Sequence, residues 1–97
     1  MKDANEAFQD NMENIRARRN HLVAHWAAGR MGYDDTLSEG YGRALHAADH
    51  EEPGDADVIR KLRSDLSSRG IRVEDVELGW VLRECHRQAL RDTHSTD

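Results

Sequence analysis

The stretch Glu51–Leu66, EEPGDADVIRKLRSDL, decides how this chain folds. It holds the only proline, Pro53, followed by Gly54 and Asp55. Proline biases the residues before it away from helix and glycine loosens the backbone, so an earlier helix must stop here. Asp55 is placed to cap the next helix with its carboxylate, and Asp57 adds negative charge in the first turn, where the helix dipole favours it. Val58, Ile59, Leu62 and Leu66 recur at helical spacing and form one apolar stripe. The stretch reads as a turn feeding an amphipathic helix, and the remaining segments read as helices that cover its stripe.

The composition sets the limits. Ninety-seven residues make one small domain with a single core. A hydrophobic fraction of 37% and a charged fraction of 34% lie at the polar end of the globular range. One Phe, two Tyr and two Trp, with few β-branched residues, leave little from which to build a sheet. A formal net charge of -5 argues against general nucleic-acid binding, although twelve arginines against two lysines leave room for a local basic patch. The lone Cys85 forms no internal disulfide, and neither a signal peptide nor a long apolar run is present, which points to a cytoplasmic protein without membrane insertion.

Four helices follow from the pattern. The first spans about Ala4 to Met31 and ends at Gly32. Its seam of Phe8, Met12, Ile15, Arg19, Leu22 and Trp26 repeats at intervals of four and three, widened by Val23 and Ala27. The half after Arg19 reads as packed core. The half before Ile15 is polar around two apolar residues, and reads as a projecting helical arm or a segment that folds on a partner. The second helix is expected from Thr36 to about Ala48, with Thr36 and Glu39 forming a capping box and Leu37, Tyr41, Ala44, Leu45 and Ala48 its apolar face. The third runs from about Ala56 to Ser68, closed by Gly70. The fourth runs from about Asp75 to Arg91 on Leu78, Val81, Leu82, Cys85, Ala89 and Leu90, with Trp80 and Val76 nearby. The expectation is an all-α four-helix bundle occupying residues 15–92, a partly mobile N-terminal arm over 1–14, and a disordered tail over 93–97.

Specific residues add a resemblance. Arg18-Arg19-Asn20 leading through Leu22 to Trp26-Ala27-Ala28, Tyr41, Ala48-Asp49 and then the EEPGDADVIRKLRSDL stretch resemble the zeta subunit of alphaproteobacterial F-type ATP synthases. The likeness covers Ile15 to Leu66 well and is looser from Gly70 to Leu90, where VEDVEL stands for an acidic helix start. It implies a non-enzymatic four-helix protein without a cofactor, peripheral at the inner membrane through ATP synthase. Such a protein binds the catalytic head (alpha, beta and gamma subunits) and blocks ATP hydrolysis by inserting its N-terminal helix. The partner-binding residues so implied are Ala7, Phe8, Met12, Ile15, Arg18 and Arg19. An amphipathic helix seated in a groove blocks closure and rotation without doing chemistry. Two departures stand out. The interval between Ala7-Phe8 and Arg18-Arg19-Asn20 is several helical turns shorter than the family's usual stretch, and histidines occupy apolar places at 25, 46 and 50.

Other signals weigh less. His21 and His25, and His46 and His50, are pairs four apart on one helical face, a spacing that grips a divalent ion if further donors such as Asp49, Cys85 or His86 converge. HLVAH lacks the glutamate of HExxH, so it is no zinc-protease motif. The competing function is therefore a histidine-rich, metal- or pH-responsive helical protein. Arg16, Arg18 and Arg19 read as a solvated face, with Arg19 snorkelling over the core, ahead of a patch for an acidic partner. Asp57 and Lys61 are spaced for an i,i+4 ion pair. With no glycine-rich phosphate loop, any adenine-nucleotide binding would rest on a different, weaker site. Trp26 and Trp80 read as core anchors.

Overall fold

In a computed structural model of the protein, residues 4–49 and 54–94 are described, with side chains for 12–49 and 54–93. Among the described residues four α-helices follow one another: α1 (Ala4–Met31), α2 (Asp35–Asp49), α3 (Ala56–Ser67) and α4 (Asp75–His94). The fold is an all-α four-helix bundle, as the periodicity of the chain implies.

The helix ends explain the order. Gly32 and Gly70 both adopt φ near 75° (77° and 75°), where a Cβ would be strained. Each lets the next amide turn back onto the helix it closes: Tyr33 donates to the Ala28 carbonyl and Ile71 to the Leu66 carbonyl, both at 2.9 Å. These are Schellman-type stops, and they fold α2 back on α1 and α4 back on α3. The caps differ from the expected ones. Asp34, not Thr36, caps α2, its Oδ1 accepting from the Leu37 amide at 2.9 Å. At α3 the Asp55 side chain makes no capping bond, and the Asp57 carboxylate instead accepts from the Val58 amide at 2.9 Å. Asp55 has a stronger partner elsewhere, described below.

Val23, Ala24, Ala27, Leu45, Val58, Leu62, Leu66, Leu78, Val81 and Leu82 meet in the core, with Trp26, Ile59, Ile71 and Cys85 packed at its edge. The alanines of α1 let α2 and α4, its principal neighbours, lie close against it. Tyr41 joins α2 to α3: its ring is in the core and its hydroxyl donates to Asp65 at 2.8 Å. Burial first and that hydrogen bond second push the phenol well above its usual range. Lys61 pairs with Asp65 at 3.1 Å rather than with Asp57, and Arg63 crosses to Asp75 at 2.6 Å.

Several expectations fail at the surface. Leu37, expected on the apolar face of α2, is exposed, and so are Val76, expected near the stripe of α4, and Trp80, expected as a core anchor. Trp80 sits two residues from Leu78 and one from Val81, close enough in sequence to look like core but turned outward by the helical period. α4 also continues beyond Arg91: Thr93, expected in a disordered tail, is helical and its hydroxyl donates to the Ala89 carbonyl at 2.9 Å. Among the described residues no helix is long and apolar enough to cross a membrane.

The ion pairs fix the registry of α1. Arg30 meets Glu77 and Arg18 meets Asp92, so α4 runs antiparallel to α1. His25 meets Ser38 and Arg16 meets Asp49, so α2 does likewise. On this registry α2 ends beside Arg16 and α4 ends within a turn of that level. The α1 backbone from Ala4 onward therefore overruns both by roughly ten residues, about 15 Å at the helical rise.

Leu62 is completely buried. Leu62→Ala should lower stability by about 2–5 kcal/mol in urea unfolding, while Trp80→Ala should change it by about 0.5 kcal/mol or less.

Candidate functional site

The foot of the arm is held by a buried carboxylate. Asp49, the last residue of α2, is 2% exposed. A lone carboxylate cannot be left there without several hydrogen bonds. Four come from three residues of α1, 16, 19 and 20, which share a face at helical spacing. Arg16 Nε donates to Asp49 Oδ2 and its Nη2 to Oδ1 at 3.3 Å, Asn20 Nδ2 donates to Oδ2 at 3.0 Å, and Arg19 Nη2 donates to Oδ2 at 3.3 Å. Burial alone would raise the Asp49 carboxyl, but the bonds from Asn20 and Arg16 and the charge of Arg19 outweigh it and hold the group below the usual carboxylate range. The bond to Asp49 raises Arg16 in turn, against the burial that would lower it.

Arg19 is the centre of the cluster. It is 6% exposed and does not snorkel to solvent, as its place in the apolar seam implies it should. Its Nη1 donates to Asp55 at 2.8 Å, which is why Asp55 does not cap α3, and its Nε and Nη2 donate to Asn20 Oδ1 at 3.1 and 2.8 Å. One guanidinium thus ties α1 to the end of α2 and the start of α3. With Asn20 Oδ1 committed to Arg19, its amide nitrogen faces both Asp49 and His46 Nδ1, the latter at 2.9 Å, and His46 Nε2 lies 3.0 Å from Glu13. Among the described residues no buried side-chain polar atom lacks a partner. The cluster is fully satisfied.

The arm residues divide around this foot. Ala7 and Phe8 have side chains outside the described residues. Met12 is exposed and Ile15 half-buried, and both line an open groove between α1 and α4 with His86 and Leu90. Arg18 is held by Asp92 at 2.8 Å, a pair whose hydrogen bond lowers the Asp92 carboxyl. The arginine triplet therefore turns most of its charge onto the protein's own carboxylates instead of forming a solvated face. The histidines disperse: His21 and His25 are exposed on α1, His25 Nδ1 is 3.3 Å from Ser38 Oγ, and His46 lies in the Asn20–Glu13 bridge. His50 falls outside the described residues. Among the described residues no three His, Cys, Asp or Glu side chains stand where they could hold a metal. Cys85 is half-buried at the core edge, and burial, its largest influence, raises the thiol.

Asp49 is the residue of this cluster whose place sequence reading missed. The clue is present: Arg16, Arg19 and Asn20 on one helical face demand an acceptor, and Asp49 stands at the end of α2.

Fold and site together define a helical module in which one helix overruns a bundle that grips it by a buried ion cluster. Comparison with family profiles assigns the chain further: the profile of the family described as ATPase inhibitor subunit zeta matches residues 2–92, and the chain belongs to that family. Membership supports an inhibitory role toward an ATPase and an association with ATP synthase. Comparison with curated proteins and with solved structures gives no match.

Asp49→Asn should lower stability by about 3 kcal/mol at neutral pH, since it leaves Arg19 buried beside a neutral amide. The sign with pH follows from the depressed carboxyl. Its contribution is complete above the unfolded value of about 4 and is lost as pH falls through the lower folded value. Urea midpoints of the wild type and Asp49→Asn should therefore converge below about pH 4 and stay apart above it.

Proposed function

We propose that the chain inhibits ATP hydrolysis by inserting the free end of α1 into the catalytic head of an F-type ATP synthase, at the alpha, beta and gamma subunits, while the bundle anchors it from outside. One observation carries this reading: the registry set by Arg16–Asp49 and Arg18–Asp92 leaves α1 helical beyond the ends of both neighbouring helices. An isolated helical segment of about ten residues is marginal in water. Extending an already nucleated, packed helix avoids the nucleation penalty, so the arm meets its groove at a lower ordering cost.

In this reading Ala7, Phe8, Met12 and Ile15 contact the partner, Met12 and Ile15 already lying at an open apolar groove. Arg18 and Arg19 act at the base, fixing the direction in which the arm leaves the bundle. The inhibition is mechanical: a helix wedged in an interface that must close and turn over prevents both. The protein then resides at the membrane only through its partner.

The shorter spacing between Phe8 and Arg18 makes the arm's reach the point to test. The full chain added to the isolated catalytic head should lower ATP hydrolysis, and a chain lacking Met1–Asn14 should not. Binding of the full chain without any slowing of hydrolysis would contradict the proposal.

A further inference from the structure

The outer face of α4 carries an unusual combination. Val76, Trp80, Arg83 and Arg87 follow one another at intervals of four, three and four, with Arg91 four further on, so all five share one helical face. That face points away from the core stripe of Leu78, Val81, Leu82 and Ala89. Val76 is 84% exposed and Trp80 56%. A tryptophan so exposed leaves a large apolar area in water, in a chain whose other tryptophan packs against the core and under Arg30.

The arginines of this face differ from the rest. Arg16, Arg18, Arg19, Arg30 and Arg63 each meet a carboxylate on another helix. Among the described residues Arg83 makes no ion pair, Arg87 meets only Glu84 of its own helix at 3.1 Å, and Arg91 only the Gln88 amide oxygen at 2.7 Å. Three guanidinium groups thus follow an exposed indole along one face of α4 with no ion pair to another helix among the described residues, although the chain carries a net charge of -5. Tryptophan and arginine are the residues most enriched where protein interfaces concentrate their binding energy.

The face does not end at α4. Arg83 and Arg87 also rim a groove floored by Ile59, Leu82 and Leu90, and Leu90 with His86 continues that groove to Met12 and Ile15. A continuous path therefore runs from Trp80 over the arginines to the base of the arm.

We propose that the outer face of α4 is the anchoring surface of the bundle, covered by an acidic protein patch with an apolar recess for Trp80, on the same partner that receives the arm. The inference rests on the proposed arm contact, because continuity with the arm is what selects the occupant. Indole burial supplies the core of the contact, and Arg83, Arg87 and Arg91 supply its orientation and salt dependence.

The test measures binding of the full chain to the isolated catalytic head by calorimetry, at two salt concentrations and beside anionic vesicles. Trp80→Ala should weaken binding about tenfold or more with an unchanged melting temperature. Arg83→Glu with Arg87→Glu should also weaken it and flatten its salt dependence. Arg43→Glu, an exposed charge reversal on α2, serves as control and should bind like the wild type. If Trp80→Ala and the double charge reversal bind like the wild type, the anchoring face is overturned while the arm reading stands. A wild-type chain that does not bind the head overturns both. Should the wild type instead co-sediment with vesicles of three parts phosphatidylcholine to one part phosphatidylglycerol, Trp80→Ala abolish this, and head binding stay unaffected, the face is a membrane contact and the protein patch is wrong.

Discussion

Everything else in this molecule depends on a carboxylate that has no water. Asp49 closes α2 inside the bundle, and burying an unpaired charge there would cost more than the whole domain has to spare. It is tolerable only because α1 presents Arg16, Arg19 and Asn20 in one turn, each donating to it. The same Arg19 then reaches Asp55 at the entrance to α3. Apolar packing alone would hold four helices together and leave them free to slide by a residue or a turn. The ion cluster removes that freedom, because a shift of one residue on α1 takes the donors off the face that Asp49 needs. Such polar devices specify arrangement more than they add stability.

Registry is what lets the α1 backbone run past its two neighbours. Asp49 halts α2 beside Arg16, and Asp92 places the end of α4 near Arg18. α1 alone continues. The chain belongs to the ATPase inhibitor subunit zeta family, and its ion pairs set the direction in which α1 leaves the bundle. The fully satisfied hydrogen bonding around Asn20 makes the base stiff as well as specific.

Much of this was readable from the chain and some was not, for identifiable reasons. The helices were readable because Gly32, Gly70 and Pro53 punctuate apolar stripes of the right period. The family was readable from EEPGDADVIRKLRSDL and the Arg18–Ala28 run. The caps were misread where two acids compete: Asp34 and Thr36 are two residues apart, and only the actual turn decides between them. Asp55 looks like an N-cap by position and is one by backbone, but Arg19 claims its side chain, a long-range choice that no local pattern reveals. Trp80 reads as a core anchor by residue type and by its neighbours Leu78 and Val81, yet the helical period turns it outward. Arg19 was misread for the opposite reason. A charge in an apolar seam usually reaches for water, and its partners lie 30 and 36 positions away in the chain.

The central claim is that Asp49 and Arg19 act together as the lock between α1, α2 and α3. A double-mutant cycle tests it directly: Arg19→Met, Asp49→Leu and the pair, each measured by urea unfolding at neutral pH. The account predicts that the two single changes are each strongly destabilising. It also predicts that the pair recovers a large part of the loss, with a coupling above about 1.5 kcal/mol, because each single change leaves a buried charge with one partner fewer. Additive losses with no coupling would show that the two residues stabilise the bundle independently, and the lock would not exist.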